Sequence, residues 1–326
     1  MSFDVIGIGN AMVDVIAQAP DTFLDHMGIE KGIMQLIERE RAEVLYAAMD
    51  NRTETPGGSV ANTIAGLGLL GLSTAFIGKV RNDALGRFYA EALADAGTAF
   101  PNPPADADAP TSRSMIFVSP DGERSMNTYL GAGADLDADD VPSESFDDAR
   151  VLFLEGYLYD KPEGKTAFEE AARLIQAAGG RAGITLSDPF CVTRHRADFQ
   201  SLVADRMDYV IGNSHEWEAL YETDLDAALA KAASVCETVV CTRSGDSVLL
   251  ISGDARAEVP VTRVTPVDAT GAGDQFAAGF LYGYATGRDL EVSGRMGVMA
   301  AAEVIGHIGP RPKANMAAKF REAGLL

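Results

Sequence analysis

Short apolar runs recur along the chain, each followed by a stretch with helical spacing. They fall at residues 3–9, 74–79, 150–155, 182–186, 209–212 and 238–243 and are rich in β-branched and aromatic side chains. Because their apolar positions are consecutive rather than alternating, they read as strands buried on both faces. Between two of them, residues 161–178 place Phe168, Ala172 and Ile175 on one face of a 3.6-residue period, as in an amphipathic helix. The alternation predicts an α/β fold: a doubly wound, mostly parallel sheet with helices on both faces. A ligand then belongs in the crevice at the carboxyl ends of the strands.

Two segments break this rhythm. Residues 13–17 and 32–37 form one pair of strand-like runs, and residues 111–118 and 124–129 form another around Ser119-Pro120-Asp121-Gly122, a hairpin turn signal. No helix is read between the strands of either pair. The economical arrangement is one small antiparallel β sheet built from excursions 11–37 and 111–132, covering the crevice as a lid on a single domain spanning residues 1–326. The connection 101–110 holds four prolines and reads as stiff and exposed.

Composition narrows the partners. With 47% hydrophobic residues and 33 glycines the chain can bury a large core, which excludes wholesale disorder. Its 48 acidic and 27 basic side chains leave a net charge of -21, repelling nucleic acid and anionic membranes. A small anion can still bind where backbone N–H groups converge. The 3 cysteines form no C-x-x-C pair and the 4 histidines are scattered, so neither a disulfide scaffold nor a structural zinc site is expected. No basic leader and no apolar span of about 18 residues is evident, which predicts a soluble, cytoplasmic protein.

Two phosphate-binding fingerprints fail. Gly7-x-Gly9 is followed by Met12 where a dinucleotide motif needs its third glycine, and Gly164-Lys165-Thr166 is preceded by Tyr159 where a P-loop needs its first. A third candidate stands. In Val267-Asp268-Ala269-Thr270-Gly271-Ala272-Gly273-Asp274, ahead of the apolar helical residues 275–285, the glycines permit a tight turn. The N–H groups of Gly271, Ala272 and Gly273 would then form an anion hole at a helix start. Asp274, favoured there as a carboxylate by the helix dipole, could deprotonate a hydroxyl beside a transferring phosphoryl group. A capped helix start uses the same residue types, and the motif alone does not separate the two.

Taken with Gly57-Gly58-Ser59-Val60-Ala61-Asn62 and Asn213-Ser214-His215-Glu216, this segment resembles the signatures of the ribokinase or PfkB family of carbohydrate and nucleoside kinases. The resemblance runs from Asn10-Ala11-Met12-Val13-Asp14 to the last helices. Leu186-Ser187-Asp188-Pro189-Phe190 and Arg124-Ser125 are most similar to the adenosine kinase branch, although Asp188, Asn127 and Thr128 depart from it. The resemblance implies that Asp274 is the base, with Gly271, Ala272 and Gly273 as the anion hole. Asp14, Asn62 and the Gly58 backbone, flanked by Asn10 and Gly57, would hold ribose hydroxyls, and Met12, Met126, Thr128 and Tyr157 would lie near the acceptor's base. Thr242, Arg243 and Gly245 resemble the ATP-side loop, with Asn213 beside it. Asn213 and Glu216, three apart at a helix start, can also organise Mg2+ directly or through water. Asp268 and Thr270, with carbonyls of Val304, His307 and Gly309, are similar to ligands of a monovalent cation such as K+.

The expected activity is an ATP- and Mg2+-dependent kinase acting on a primary hydroxyl of a ribose-containing substrate, adenosine foremost. A sugar kinase for ribose or fructose, and a non-catalytic nucleoside-binding regulator on the same fold, remain the alternatives. Monomer and homodimer are both open. His195 and His215 sit among polar helical residues and read as surface side chains.

Overall fold

The computed structural model describes residues 2–326. Numbered along the chain, its strands are β1 (Val5–Ile8), β2 (Met12–Gln18), β3 (Met34–Leu36), β4 (Thr53–Gly57), β5 (Thr74–Ile77), β6 (Thr98–Ala99) and β7 (Ser112–Val118). They continue as β8 (Arg124–Tyr129), β9 (Val151–Glu155), β10 (Arg181–Thr185), β11 (Tyr209–Asn213), β12 (Thr238–Arg243), β13 (Asp246–Ser252) and β14 (Ala255–Val259).

Nine strands form the main sheet in the order β14-β13-β12-β11-β10-β9-β1-β5-β6. Every ladder from β6 to β12 is parallel, while β12–β13 and β13–β14 are antiparallel. The six consecutive apolar runs of the sequence are the parallel strands β1, β5, β9, β10, β11 and β12. Side-chain alternation divides their burial between two cores. Val5, Val151 and Phe153 pack on the side of the Ser59–Leu69 and Ala272–Ala285 helices, while Ile6, Leu152 and Leu154 pack on the side of the Pro162–Ala177 and Ser214–Tyr221 helices. Phe168, Ala172 and Ile175 all lie in the second core, as their spacing requires. Chain order reverses between β1 and β9, so a crevice opens at the carboxyl ends of these two strands.

The second sheet has the order β3-β8-β7-β2-β4 and draws on both excursions. Its β2–β4 and β7–β8 pairs are antiparallel, and parallel β2–β7 and β3–β8 ladders join one excursion to the other. One sequence expectation is corrected here. The first excursion is not helix-free: the Asp21–Met27 helix lies between its two strands, and together with the Arg39–Ala47 helix that follows the excursion it buries Leu24, Ala42 and Leu45 in one core with Val13, Val15, Met115 and Phe117 of the sheet. Their polar sequences hide short apolar stripes. Strand β4, Thr-Glu-Thr-Pro-Gly, gives no strand signal either, and it sits at the sheet edge, where Pro56 costs no ladder bond.

The only tryptophan of the sequence, Trp217, is fully buried in the second core and donates its indole N–H to the Val240 carbonyl at 3.1 Å. Phe168, in the same core, stacks on Tyr159 with ring centroids 5.8 Å apart. We expect Phe168→Ala to lose about 3–5 kcal/mol of stability, as large-to-small core substitutions do. Urea unfolding followed by Trp217 emission checks this; a midpoint equal to that of the unaltered protein would refute it.

Candidate active site

Asp274 is the third residue of the Ala272–Ala285 helix, whose N-cap Gly271 has φ 80°. A side chain at Gly271 would be strained by that backbone and would also collide with Pro310, so the turn requires glycine. The Asp274 carboxylate accepts hydrogen bonds from Ser59 Oγ at 2.7 Å and Asn62 Nδ2 at 3.1 Å, and Thr63 Oγ1 donates to its carbonyl at 3.0 Å. All three partners lie in the first turns of the Ser59–Leu69 helix, so two helix starts converge on one carboxylate. Burial raises the Asp274 pKa to about 6, and the bonds from Ser59 and Asn62 and the charge of Arg311 only partly reverse this. Desolvation therefore outweighs the dipole stabilisation expected from sequence. Of the three expected anion-hole donors, Ala272 N–H is turned to the Ala269 carbonyl at 3.2 Å, and the space in front of Gly273 is open, with nothing within 4 Å of an added Cβ.

Asp14 comes from β2. The registers Asp14↔Ser114, Ser114↔Thr128, Ile16↔Ile116, Ile116↔Met126 and Met126↔Met34 put these residues on one face of the small sheet. Met12, Leu36 and Arg124 share that face by alternation, opposite the face that the helices cover. Burial raises the Asp14 pKa to about 7, opposed by the charge of Arg124, reinforced by Asp274 and opposed again by Arg311. The neighbouring Gly58 has φ 95°, and an added Cβ there would press into the Asn10 carbonyl. Asn10 and Gly57 flank this region, but the buried Asn10 amide is directed to Glu155 Oε1 at 2.8 Å rather than into open space. Glu155, ending β9, also accepts from Val60 N–H at 3.0 Å, and burial lifts its pKa to about 7. It thus ties the ends of β1 and β9 to the start of the Ser59–Leu69 helix.

On the other side of Asp274 a cavity of about 250 Å³ is lined by Ser59, Tyr157, Asn213, Glu216, Thr242 and Gly273, among others. Burial holds the Tyr157 phenol well above its ordinary pKa. Asn213 and Glu216 form a capping box: Asn213 Nδ2 and N–H each donate to Glu216 at 2.7 Å, and Glu216 N–H donates to Asn213 Oδ1 at 3.0 Å. Oxygen donors suit Mg2+, but both Glu216 oxygens already have partners, which favours a contact through water. Arg243, expected at the nucleotide phosphates, points elsewhere: its Nε donates to the Ser247 carbonyl at 2.6 Å and its Nη2 to Glu258 at 2.8 Å. The β13–β14 hairpin, unseen in the sequence, supplies both partners. Gly245 lies in the tight turn between β12 and β13.

Asp268 and Thr270 do come together, around an arginine. Arg124 of strand β8 in the small sheet donates to Asp268 Oδ2 at 2.7 Å and Thr270 Oγ1 at 3.0 Å. Asp268 Oδ2 also accepts Gly309 N–H at 3.1 Å, and Oδ1 accepts Thr270 N–H at 3.0 Å and its hydroxyl at 2.7 Å. With both oxygens engaged and a guanidinium beside them, this carboxylate does not fit a monovalent cation in this arrangement. His195 pairs with Asp160 at 2.8 Å and His215 is exposed; neither lines the cavity. Sequence reasoning missed Ser59 as a partner of Asp274, although it lies inside the Gly-Gly-Ser motif. It also missed Glu155, whose place at the carboxyl end of an apolar strand was a usable signal, and Arg311, for which no local signal exists.

A family model described as pfkB family carbohydrate kinase matches residues 29–316. The chain is 43% identical to a probable sugar kinase protein from Rhizobium etli CFN 42, with a TM-score of 0.91 over 99% of each chain. It is 46% identical to an adenosine kinase from Sinorhizobium meliloti, with a TM-score of 0.90 over 98% of this chain and 99% of that one. An aminoimidazole riboside kinase from Salmonella typhimurium is 29% identical over 242 residues, 70% of this chain and 73% of its own length. The matched span, the two-sheet fold and the carboxylate at the glycine turn together make the chain a member of the pfkB carbohydrate kinase family, a phosphotransferase acting on a sugar or nucleoside hydroxyl.

Proposed function

We propose that this kinase transfers the γ-phosphoryl group of ATP to the 5′-hydroxyl of a purine ribonucleoside, adenosine foremost. The observation that carries the acceptor class is the inner face of the small sheet. Beside the polar group at Asp14, it offers Met12, Ile16, Met34, Leu36 and Met126, and Met34 and Leu36 are about half exposed, at 48% and 53%. Carboxylate and amide groups recognise a ribose, whereas an apolar, Met-rich surface recognises a planar base and gives a free hexose nothing to bury. Likeness to the Sinorhizobium meliloti adenosine kinase supports the same class.

In this reading Asp14, Asn62 and Gly58 hold the ribose, and Asp274 takes the proton of the attacking hydroxyl. The hydroxyl oxygen forms the new P–O bond as the bond from Pγ to the β,γ-bridging oxygen breaks, releasing ADP. The Gly271–Gly273 turn faces the charge on the transferring group, and the cavity along Thr242 and Asn213 receives the nucleotide. Glu216 and Asn213 would hold Mg2+ through water, and the ion would supply charge neutralisation at the phosphates. Arg124 bridges the lid to the Asp268–Thr270 turn and ties closure of the small sheet to the anion hole.

Asp274→Asn should lower kcat by at least about 10², with ATP affinity within a few-fold, as loss of a general base requires. Undiminished turnover in the purified variant would end the assignment. Both Asp274, near 6, and Asp14, near 7, must be ionised to act, and both values are raised, so activity is present above them and lost as pH falls through this window. A kcat/KM profile level down to pH values near ordinary carboxylates, about 4, would contradict this. Across adenosine, inosine, guanosine, cytidine, ribose and fructose in an ADP-release assay, adenosine should exceed the free sugars in kcat/KM by about 10², from the added buried ring. A sugar as the better substrate rejects the nucleoside reading and keeps the kinase. Adenosine should also raise amide exchange protection in β2, β3, β7 and β8; equal protection with and without it would rule out lid closure.

A further inference from the structure

Arg311 reaches the site from the loop that follows the Leu290–Val304 helix. Its backbone is fixed by the anion-hole turn itself: Pro310 packs on Gly271, and Gln275 Nε2 donates both to the Pro310 carbonyl at 3.1 Å and to the Asn62 carbonyl at 3.0 Å. The side chain then passes Asn62, with Nε donating to Asn62 Oδ1 at 3.3 Å and Nη1 to the Ala92 carbonyl at 3.4 Å. Nη2 is buried without a partner, and among the described residues no carboxylate oxygen lies within 4.0 Å of the guanidinium. A largely buried cation with no ion pair is costly to keep unless its charge acts on something nearby.

What it acts on is the amide and the two carboxylates. Asn62 must present its NH2 group to Asp274 Oδ2, and an amide can sit either way round. With guanidinium donors at its oxygen, one orientation satisfies both neighbours; the flipped one sets NH2 against guanidinium and oxygen against carboxylate. The positive charge also opposes protonation of both Asp14 and Asp274. We infer that Arg311 is a positioning residue for phosphoryl transfer, fixing the sense of the Asn62 amide and setting its positive charge against Asp274 and Asp14. This rests on the reading of Asp274 as the base. The groups facing Asp274 are Ser59 and Asn62 of the Ser59–Leu69 helix, Asp14 of β2, Glu155 of β9, Tyr157 after it, and Arg311; Arg124 of β8 faces Asp14, and Tyr89 of the Ala84–Asp95 helix faces Arg311.

The decisive test is independent of turnover. Carboxylate 13C titration of the full ligand-free chain, with the Asp274 signal identified by Asp274→Asn, would be compared between the unaltered protein, Arg311→Met and Arg311→Lys. Arg311→Met should raise the proton affinity of Asp274 about tenfold, and Arg311→Lys, which keeps the charge, should leave it within about twofold. In assays from about pH 5 to 9 the acid limb of kcat/KM should move with it for Arg311→Met. Arg311→Lys, lacking the planar fork, should instead raise acceptor KM several-fold, with ATP KM unchanged in both variants. An unmoved Asp274 titration in folded Arg311→Met overturns the inference. Should Arg311→Met not fold, a wild-type acceptor KM in Arg311→Lys overturns it. Failure of both variants to fold assigns Arg311 to structure and overturns it too. If the unaltered protein phosphorylates no nucleoside or sugar, the functional reading falls, and the titration still decides the role of Arg311 toward Asp274.

Discussion

Two helix starts, those of Ser59–Leu69 and Ala272–Ala285, meet at one carboxylate, and most of the site follows from that meeting. The unsatisfied N–H groups at a helix start favour negative charge, so the place is suited to an anion and to the charge that develops as phosphate moves. It is also withdrawn from water, which raises the proton affinity of any carboxylate held there. Asp274 and Glu155 both feel this, and both are held by groups of the Ser59–Leu69 helix. A carboxylate whose proton affinity is raised towards neutral pH is the product of these opposing effects, which is what the proposed role of Asp274 needs. Gly58 and Gly271 are then steric necessities, since each helix start is reached through a backbone conformation that a side chain would disturb.

Charge in this protein is organised on two scales. The surface is strongly acidic, with a net charge of -21, while arginines are spent where phosphate chemistry is expected: Arg124 at the anion-hole turn and Arg311 behind Asn62. The two arginines come from different parts of the chain, one from strand β8 of the small sheet and one from the loop after the Leu290–Val304 helix. Arg124 therefore joins the small sheet to the Asp268–Thr270 turn, whereas Arg311 is anchored through the loop that packs on Gly271.

Legibility from sequence tracked locality. Consecutive apolar runs gave the parallel strands because burial on both faces leaves that pattern in the residues themselves, and the glycine turn before Asp274 was visible because its constraint is local. The β13–β14 hairpin and the edge strand β4 were not visible, since their stability comes from partners rather than composition. Arg243 shows the same limit at the level of a side chain. Its direction is set by Ser247 and Glu258, and the strand carrying Glu258 went unread. Arg311 lies between two prolines in a polar stretch, and only the packing of Pro310 on Gly271 gives it a destination.

The contacts that complete the site are extremely nonlocal. Asn62 and Asp274 are 212 positions apart, and Asn62 and Arg311 are 249. Contacts of that span close large loops, whose entropy must be lost before the contact returns anything, so they form late in folding. During synthesis the early strands and the Ser59–Leu69 helix emerge long before the residues that finish the site. A nascent chain therefore carries Asn62 without Asp274 until 212 further residues have been added and without Arg311 until 249 have, so the buried arrangement around Asn62 is completed in one late step.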